Sequence, residues 1–252
     1  MNNGSFGFET GLRSNMRFGF NRNTLGGFLP SDIANLQLWM DATDSSTITK
    51  DGSGFISQWE DKSANSYLFT QATGSKQPQS IANGFGTQNK PYVKFVSANN
   101  MTLPTNANIE LGVMTMFFAL RVDAYGAAGG VVDKWLNDTG YSVDTQGLAI
   151  KKPRIKAGTT NIASLVSTEL TPALIAVKIN GANSFIEVNG TRTTGTLNTT
   201  PTSVDSLFLG GDGVSTLYNS WSLAEYVMYK SALTDAQVTQ VSNYLNSKYG
   251  VY

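Results

Sequence analysis

The 252-residue chain has no cysteine and no histidine. Their absence removes disulfides, thiolate nucleophiles, Cys or His zinc sites and every His-dependent triad. Charge is also scarce. Asp, Glu, Lys and Arg make up 14% of residues, well below the about 25% usual in soluble proteins. Solubility instead rests on neutral polar groups, because Asn, Ser and Thr supply 73 positions. Eighteen basic residues balance eighteen acidic ones, so no global field draws the chain to nucleic acid or to an anionic membrane. No run of 18 apolar residues occurs, and the first 30 residues contain no continuous apolar stretch of the secretory kind. The expectation is a chain that neither spans a membrane nor carries a Sec-type signal.

What the chain does have is strand grammar. Leu36, Leu38 and Met40 alternate with Gln37, Trp39 and Asp41. After the Asp51-Gly52 turn signal, Phe55 to Trp59 gives a second short apolar run, so the two Trp-containing segments read as a hairpin. Lys90 to Phe95 and Met101 to Pro104 read as paired short strands around Asn99-Asn100. Residues 113 to 122, VMTMFFALRV, are apolar on both faces, which predicts a central strand. Two Asn-Gly turns, Asn180-Gly181 and Asn189-Gly190, punctuate alternating runs and predict an antiparallel meander. Residues 191 to 203 read as a Thr-rich surface connection, and Trp221 to Tyr229 as the last strand.

The ends differ in kind. Pro30 to Asn35 predicts a single helical turn capped by Ser31. At the other end, Thr234-Asp-Ala-Gln237 is a capping box, Leu233 and Val238 fit a hydrophobic staple, and Val238, Val241 and Leu245 share a face before Gly250. This predicts one C-terminal helix, expected at the sandwich edge. Residues 1–29 sustain no period and place Arg13, Arg17 and Arg22 among Phe6, Phe8, Phe18 and Phe20. Arginine interleaved with phenylalanine suits an interface, so these seven residues are expected to form an extended partner-binding arm ahead of a 30–252 domain. A terminal strand folded back on its own domain is the alternative.

Three stretches together resemble the concanavalin A-like lectin/glucanase domains of the laminin-G-like kind, found in phage virion and bacterial surface proteins. They are W-x-D-A-x-D followed by Q-W-x-D-K-S-x-N over residues 39 to 65, K-P-x-V-x-F over 90 to 95, and the closing W-S-L-A-E-Y to K-Y-G over 221 to 250. The resemblance implies an all-β, two-sheet antiparallel jelly-roll sandwich. Glucanases of this fold hold a carboxylate pair on one strand in an E-x-D-x-E pattern. None of the six glutamates here has an acidic residue two positions away, so no enzyme is expected; Glu225 reads as a satisfied strand carboxylate. Relatives often bind calcium, and Asp41, Asp44 and Asp61 are the candidates, but they match no compact calcium loop, so no metal and no cofactor are expected.

Sugar recognition needs an aromatic face with fixed polar partners on a loop rim. Trp135, Asn137, Asp138 and Tyr141 form one such candidate cluster, and Asp212 to Tyr218 another. Domains resembling this one usually work outside cells, whereas no export signal is read. A virion protein, assembled in host cytoplasm and released by lysis, reconciles the two. The expected function is therefore a bacteriophage structural protein, a capsid decoration, head-fibre-like or tail accessory subunit. It would be a homo-oligomer bound to other capsid or tail proteins through its arm. The alternative is an adhesion module that binds carbohydrate on host cell surfaces.

Overall fold

The computed structural model describes residues 27–104, 107–110, 112–124, 130–136, 139–145, 151–168, 170–200, 206–211 and 219–252. In chain order the first strands are β1 (Leu36–Asp41), β2 (Ile48–Lys50), β3 (Ile56–Glu60), β4 (Leu68–Thr70), β5 (Gln79–Phe85) and β6 (Lys90–Phe95). Next come β7 (Met101–Leu103), β8 (Met114–Ala124), β9 (Gly130–Leu136), β10 (Thr139–Thr145), β11 (Pro153–Ala157) and β12 (Thr160–Ala163). The chain finishes with β13 (Ala173–Ile179), β14 (Ser184–Val188), β15 (Thr191–Gly195), β16 (Leu207–Leu209), β17 (Ser220–Tyr229) and the helix α1 (Asp235–Tyr249).

These strands form two antiparallel sheets, the two-sheet all-β sandwich expected. One runs β15-β14-β13-β8-β17-β6-β5, and β1 also pairs with β17. The other runs β12-β11-β10-β9-β16-β7-β4-β3-β2. Between the sheets lies the main core, with Trp59, Phe69, Phe95, Phe118 and Tyr226 at its centre. Phe118 and Tyr226 stack 4.7 Å apart on neighbouring strands. The β13-β14-β15 meander follows the two Asn-Gly turns as predicted.

Alternation tells a strand which face is buried but not which sheet it joins, and two pairings differ from expectation for that reason. The Trp39 and Trp59 strands are not a hairpin: β1 pairs with β17, whereas β3 pairs with β2 and β4 in the opposite sheet. Likewise β6 pairs with β5 and β17, and β7 with β16 and β4, so the Asn99-Asn100 turn carries the chain from one sheet to the other. The Thr-rich stretch begins as an edge strand, β15, because Thr tolerates a half-exposed pleat. The opening turn, Pro30–Asp32, is capped through Asp32, whose carboxylate accepts from the Leu29 amide, and not by Ser31.

α1 starts on the predicted capping box. The Thr234 side chain accepts from the Gln237 amide, and the Gln237 side chain accepts from that of Thr234. It ends at Gly250, whose φ of 60° is the left-handed cap conformation. The helix lies on the outer face of the eight-stranded sheet, not at its edge. Val238, Val241, Leu245 and Tyr249 pack there against Trp39, Phe117, Val227 and Tyr229 in a second apolar cluster. This third layer explains why β8 and β17 are apolar on both faces: one face lines the inter-sheet core and the other lies under α1. Both predicted staple residues are buried in that layer.

The C-terminus of α1 is held by the β5–β6 turn. Thr87 and Gln88 donate their amides to the carbonyls of Gly250 and Tyr249. Gly86 adopts φ 65°, and a Cβ there would collide with the Tyr249 carbonyl. Gly86→Ala is therefore expected to lower stability by about 1–3 kcal/mol in urea denaturation. An unchanged midpoint would show that this turn does not hold the helix.

Candidate functional site

The sheet face under α1 is apolar along its middle and polar at both ends. Lys178 and Arg192, the latter also paired with Glu187, meet Asp235 at the start of the helix, and a second polar group lies where β1, β17 and the last two turns of the helix meet. Strand β17 shifts register between Leu223 and Glu225 against β8. The irregularity places both Ala224 and Glu225 toward the helix: Ala224 belongs to the second apolar cluster, and Glu225 meets helix side chains. Glu225 is fully buried. Its carboxylate accepts from Trp39 Nε1 (2.7 Å), Tyr244 Oη (3.0 Å), Tyr249 Oη (2.7 Å) and Lys248 Nζ (2.7 Å). The Lys248 ammonium also donates to Asp41 Oδ1 at 2.8 Å and to Tyr244 Oη at 3.3 Å. Asp41 in turn pairs with Lys62 at 2.9 Å, and Lys62 reaches Asp44 at 3.1 Å while lying 4.4 Å from the Trp39 ring centroid.

Burial acts on the two carboxylates first, and their partners then separate them. Glu225 is pushed above its ordinary 4.5, since burial and the nearby Asp41 charge outweigh Lys248 and the hydrogen bond from Tyr249. Burial would raise Asp41 too, but the Lys248 charge and hydrogen bonds from Lys248, Lys62 and Thr43 hold it below its ordinary 3.8.

Beside this cluster opens a pocket of about 520 Å³ between α1 and the start of the described chain. Its aromatic wall is Phe28 against Tyr244, edge to face at 6.0 Å. Gln240, Asn243, Ser247 and Lys248 line the helix side. Spacings of three and four residues put Gln240, Asn243 and Ser247 on one helix face. All three are exposed, and their side chains make no hydrogen bond among the described residues. The pocket thus offers two amides and a hydroxyl beside two rings.

The sites expected from sequence fare differently. Tyr141 is not on a rim: it is fully buried between the sheets, donating its hydroxyl to the Ile109 carbonyl at 3.1 Å, so no face is open to a sugar. Trp135 lies on β9 opposite Gly140. Asn137, Asp138 and 212–218 lie outside the described residues, as do Phe6, Phe8, Arg13, Arg17, Phe18, Phe20 and Arg22. Asp41 and Asp44 do come together, but around the Lys62 ammonium. Asp61 sits apart, accepting from the Trp39 and Ser63 amides at 2.6 and 2.9 Å. Among the described residues no group of three acidic side chains is arranged to hold a metal. A second polar cluster lies on the outer face of the nine-stranded sheet, where Asp144 takes a two-pronged contact from Arg154 (2.9 and 2.8 Å) and Ser142 donates to Asp133.

Breaking the buried pair leaves an uncompensated charge, so Lys248→Met is expected to cost about 3–5 kcal/mol. The two acids have opposite linkage. A group raised in the fold contributes stability that is complete below its ordinary pKa and lost as pH rises through its folded value. A lowered group contributes above its ordinary pKa and loses that contribution as pH falls through its folded value. In urea titrations between about pH 3 and about pH 7, the advantage of wild type over Glu225→Gln should therefore shrink as pH rises above 4.5. Its advantage over Asp41→Asn should shrink as pH falls below 3.8. Parallel trends in the two variants would contradict the separation.

No family model matches the chain, and no curated protein does. Solved structures do match in fold. The binding domain of Paraclostridial Mosquitocidal Protein 1 superposes with a TM-score of 0.63 at 14% identity, over 86% of this chain and 53% of that one. Trypanosoma rangeli sialidase in complex with sialic acid gives 0.55 at 12%, over 85% and 33%. The binding domain of botulinum neurotoxin DC in complex with SialylT gives 0.53 at 10%, over 86% and 52%. The chain thus spans between 33% and 53% of the length of these structures. What is shared with them is the β-sandwich fold.

Proposed function

We propose that this chain is a non-enzymatic, lectin-like module that binds cell-surface glycans through the pocket beside α1. The observation that carries the reading is the pocket itself, where Gln240, Asn243 and Ser247 stand uncommitted around the Phe28 and Tyr244 rings. Amides and hydroxyls that can donate and accept, set against an aromatic wall, are the groups that match a sugar's hydroxyls and its apolar ring face. Two of the fold neighbours, of which this chain covers 33% and 52%, were solved in complex with sialic acid and with SialylT. Glycan binding is the alternative in the sequence reading. Placement in a phage particle rests, in the sequence reading, on the 1–29 arm, the absence of a legible export signal, the lack of cysteine and the neutral polar composition, whereas the fold neighbours are toxin and sialidase structures.

The non-enzymatic part rests on Glu225 and Asp41. Most glycosidases work with two carboxyl groups flanking an open cleft. Here both face one ammonium, and Glu225 is enclosed by Trp39, Tyr244, Tyr249 and Lys248.

A glycan array probed with wild type and with the Gln240→Ala/Asn243→Ala double variant tests the reading. Alanine suits an exposed helix position, so the variant should fold. Losing two hydrogen-bonding amides should weaken retention of the bound glycan by about ten-fold or more. Wild type that retains no glycan at high concentration would remove the proposal.

A further inference from the structure

The fold neighbours solved with sialylated ligands invite the expectation of an acidic sugar. The charges around the pocket point elsewhere. A sugar carboxylate needs an available cation or a set of aligned N–H donors. Among the described residues Lys248 is the one charged side chain lining the pocket. Its ammonium has three protons, and Glu225, Asp41 and the Tyr244 hydroxyl account for all three. An incoming carboxylate would have to displace the Tyr244 hydroxyl or one of the two buried carboxylates from it.

The groups behind Lys248 add to this. Asp41, Asp44 and Glu225 carry three acidic functions against the two ammonium groups of Lys62 and Lys248, so the group of charges behind Lys248 is not positive. The pocket also lies along the last turns of α1, which ends at Tyr249, and a helix C-terminus carries partial negative charge. What remains free is neutral: the Gln240 and Asn243 amides and the Ser247 hydroxyl, beside the rings.

On the reading that this pocket binds glycans, we propose that its ligands are neutral, non-sialylated sugars, with Gln240 and Asn243 as the specificity-determining groups. A terminal hexose or N-acetylhexosamine presents only hydroxyls, an amide and a ring face, which these side chains can pair without a counter-ion. Adding a carboxylate introduces a charge that meets no free cation among the described residues lining the pocket.

Titration calorimetry with a neutral oligosaccharide and its sialylated counterpart tests this, using wild type and the Gln240→Ala/Asn243→Ala variant at about 50 mM and about 300 mM salt. The neutral sugar should bind at least about ten-fold more tightly than the sialylated one. Its affinity should be nearly independent of salt and should fall about ten-fold or more in the double variant. Equal or tighter binding of the sialylated sugar, weakening as salt rises, would overturn the proposal while leaving glycan binding intact. A neutral preference that survives unchanged in the double variant would also overturn it, because the selecting groups would then lie elsewhere. Failure of wild type to bind either sugar, or any glycan of the array, would remove the glycan-binding reading and this inference with it.

Discussion

One ammonium group joins the parts of this molecule that matter for its proposed activity. Lys248, near the end of the chain, reaches Glu225 on β17 and Asp41 on β1, at 2.7 and 2.8 Å. β17 is the strand that β8, β6 and β1 all share, so this contact ties the C-terminal helix to the centre of the eight-stranded sheet. Desolvating two carboxylates and an ammonium is costly, and the arrangement stands because nearly every lone pair is used: Trp39, Tyr244 and Tyr249 donate to the same Glu225 carboxylate. Such a network is better suited to fixing one position of the helix than to adding net stability. That position sets the aromatic wall of the pocket, through Tyr244, and brings Lys248 into its lining.

The helix also changes how the sandwich is built. Two sheets alone would bury one face each, with polar residues outward. Here the outer face of the eight-stranded sheet is covered, and residues such as Phe117, Leu174 and Val227 form a second apolar layer beneath α1. The outer face of the nine-stranded sheet carries Asp133, Ser142 and Asp144 instead. The two outer surfaces differ in that α1 docks on the eight-stranded sheet, with ion pairs at both of its ends.

Much of this could be read from the chain. The capping box at Thr234, the staple of Leu233 and Val238, the glycine cap and the Asn-Gly meander are local signals, and local geometry decides them. Strand partners are long-range, and the Trp39 and Trp59 strands were separated into opposite sheets by contacts that no short pattern encodes. Tyr141 looked like a loop aromatic because it neighbours turn residues, but the period of its strand sends it inward with Val143. The pocket was the least legible part. Gln240, Asn243 and Ser247 read as an ordinary solvated helix face; the available signal was that, at these three positions, the face carries neutral amides and a hydroxyl in place of the usual charges.

In the proposed reading, the helix that Lys248 anchors presents the glycan site. Backbone amide shift mapping by NMR during titration with a neutral oligosaccharide locates the contact directly. Perturbations should concentrate at Phe28 and along 240–248, saturating together as one binding event. Perturbations confined to Asp133, Ser142, Asp144 and Arg154 on the opposite sheet, with α1 unmoved, would contradict that reading.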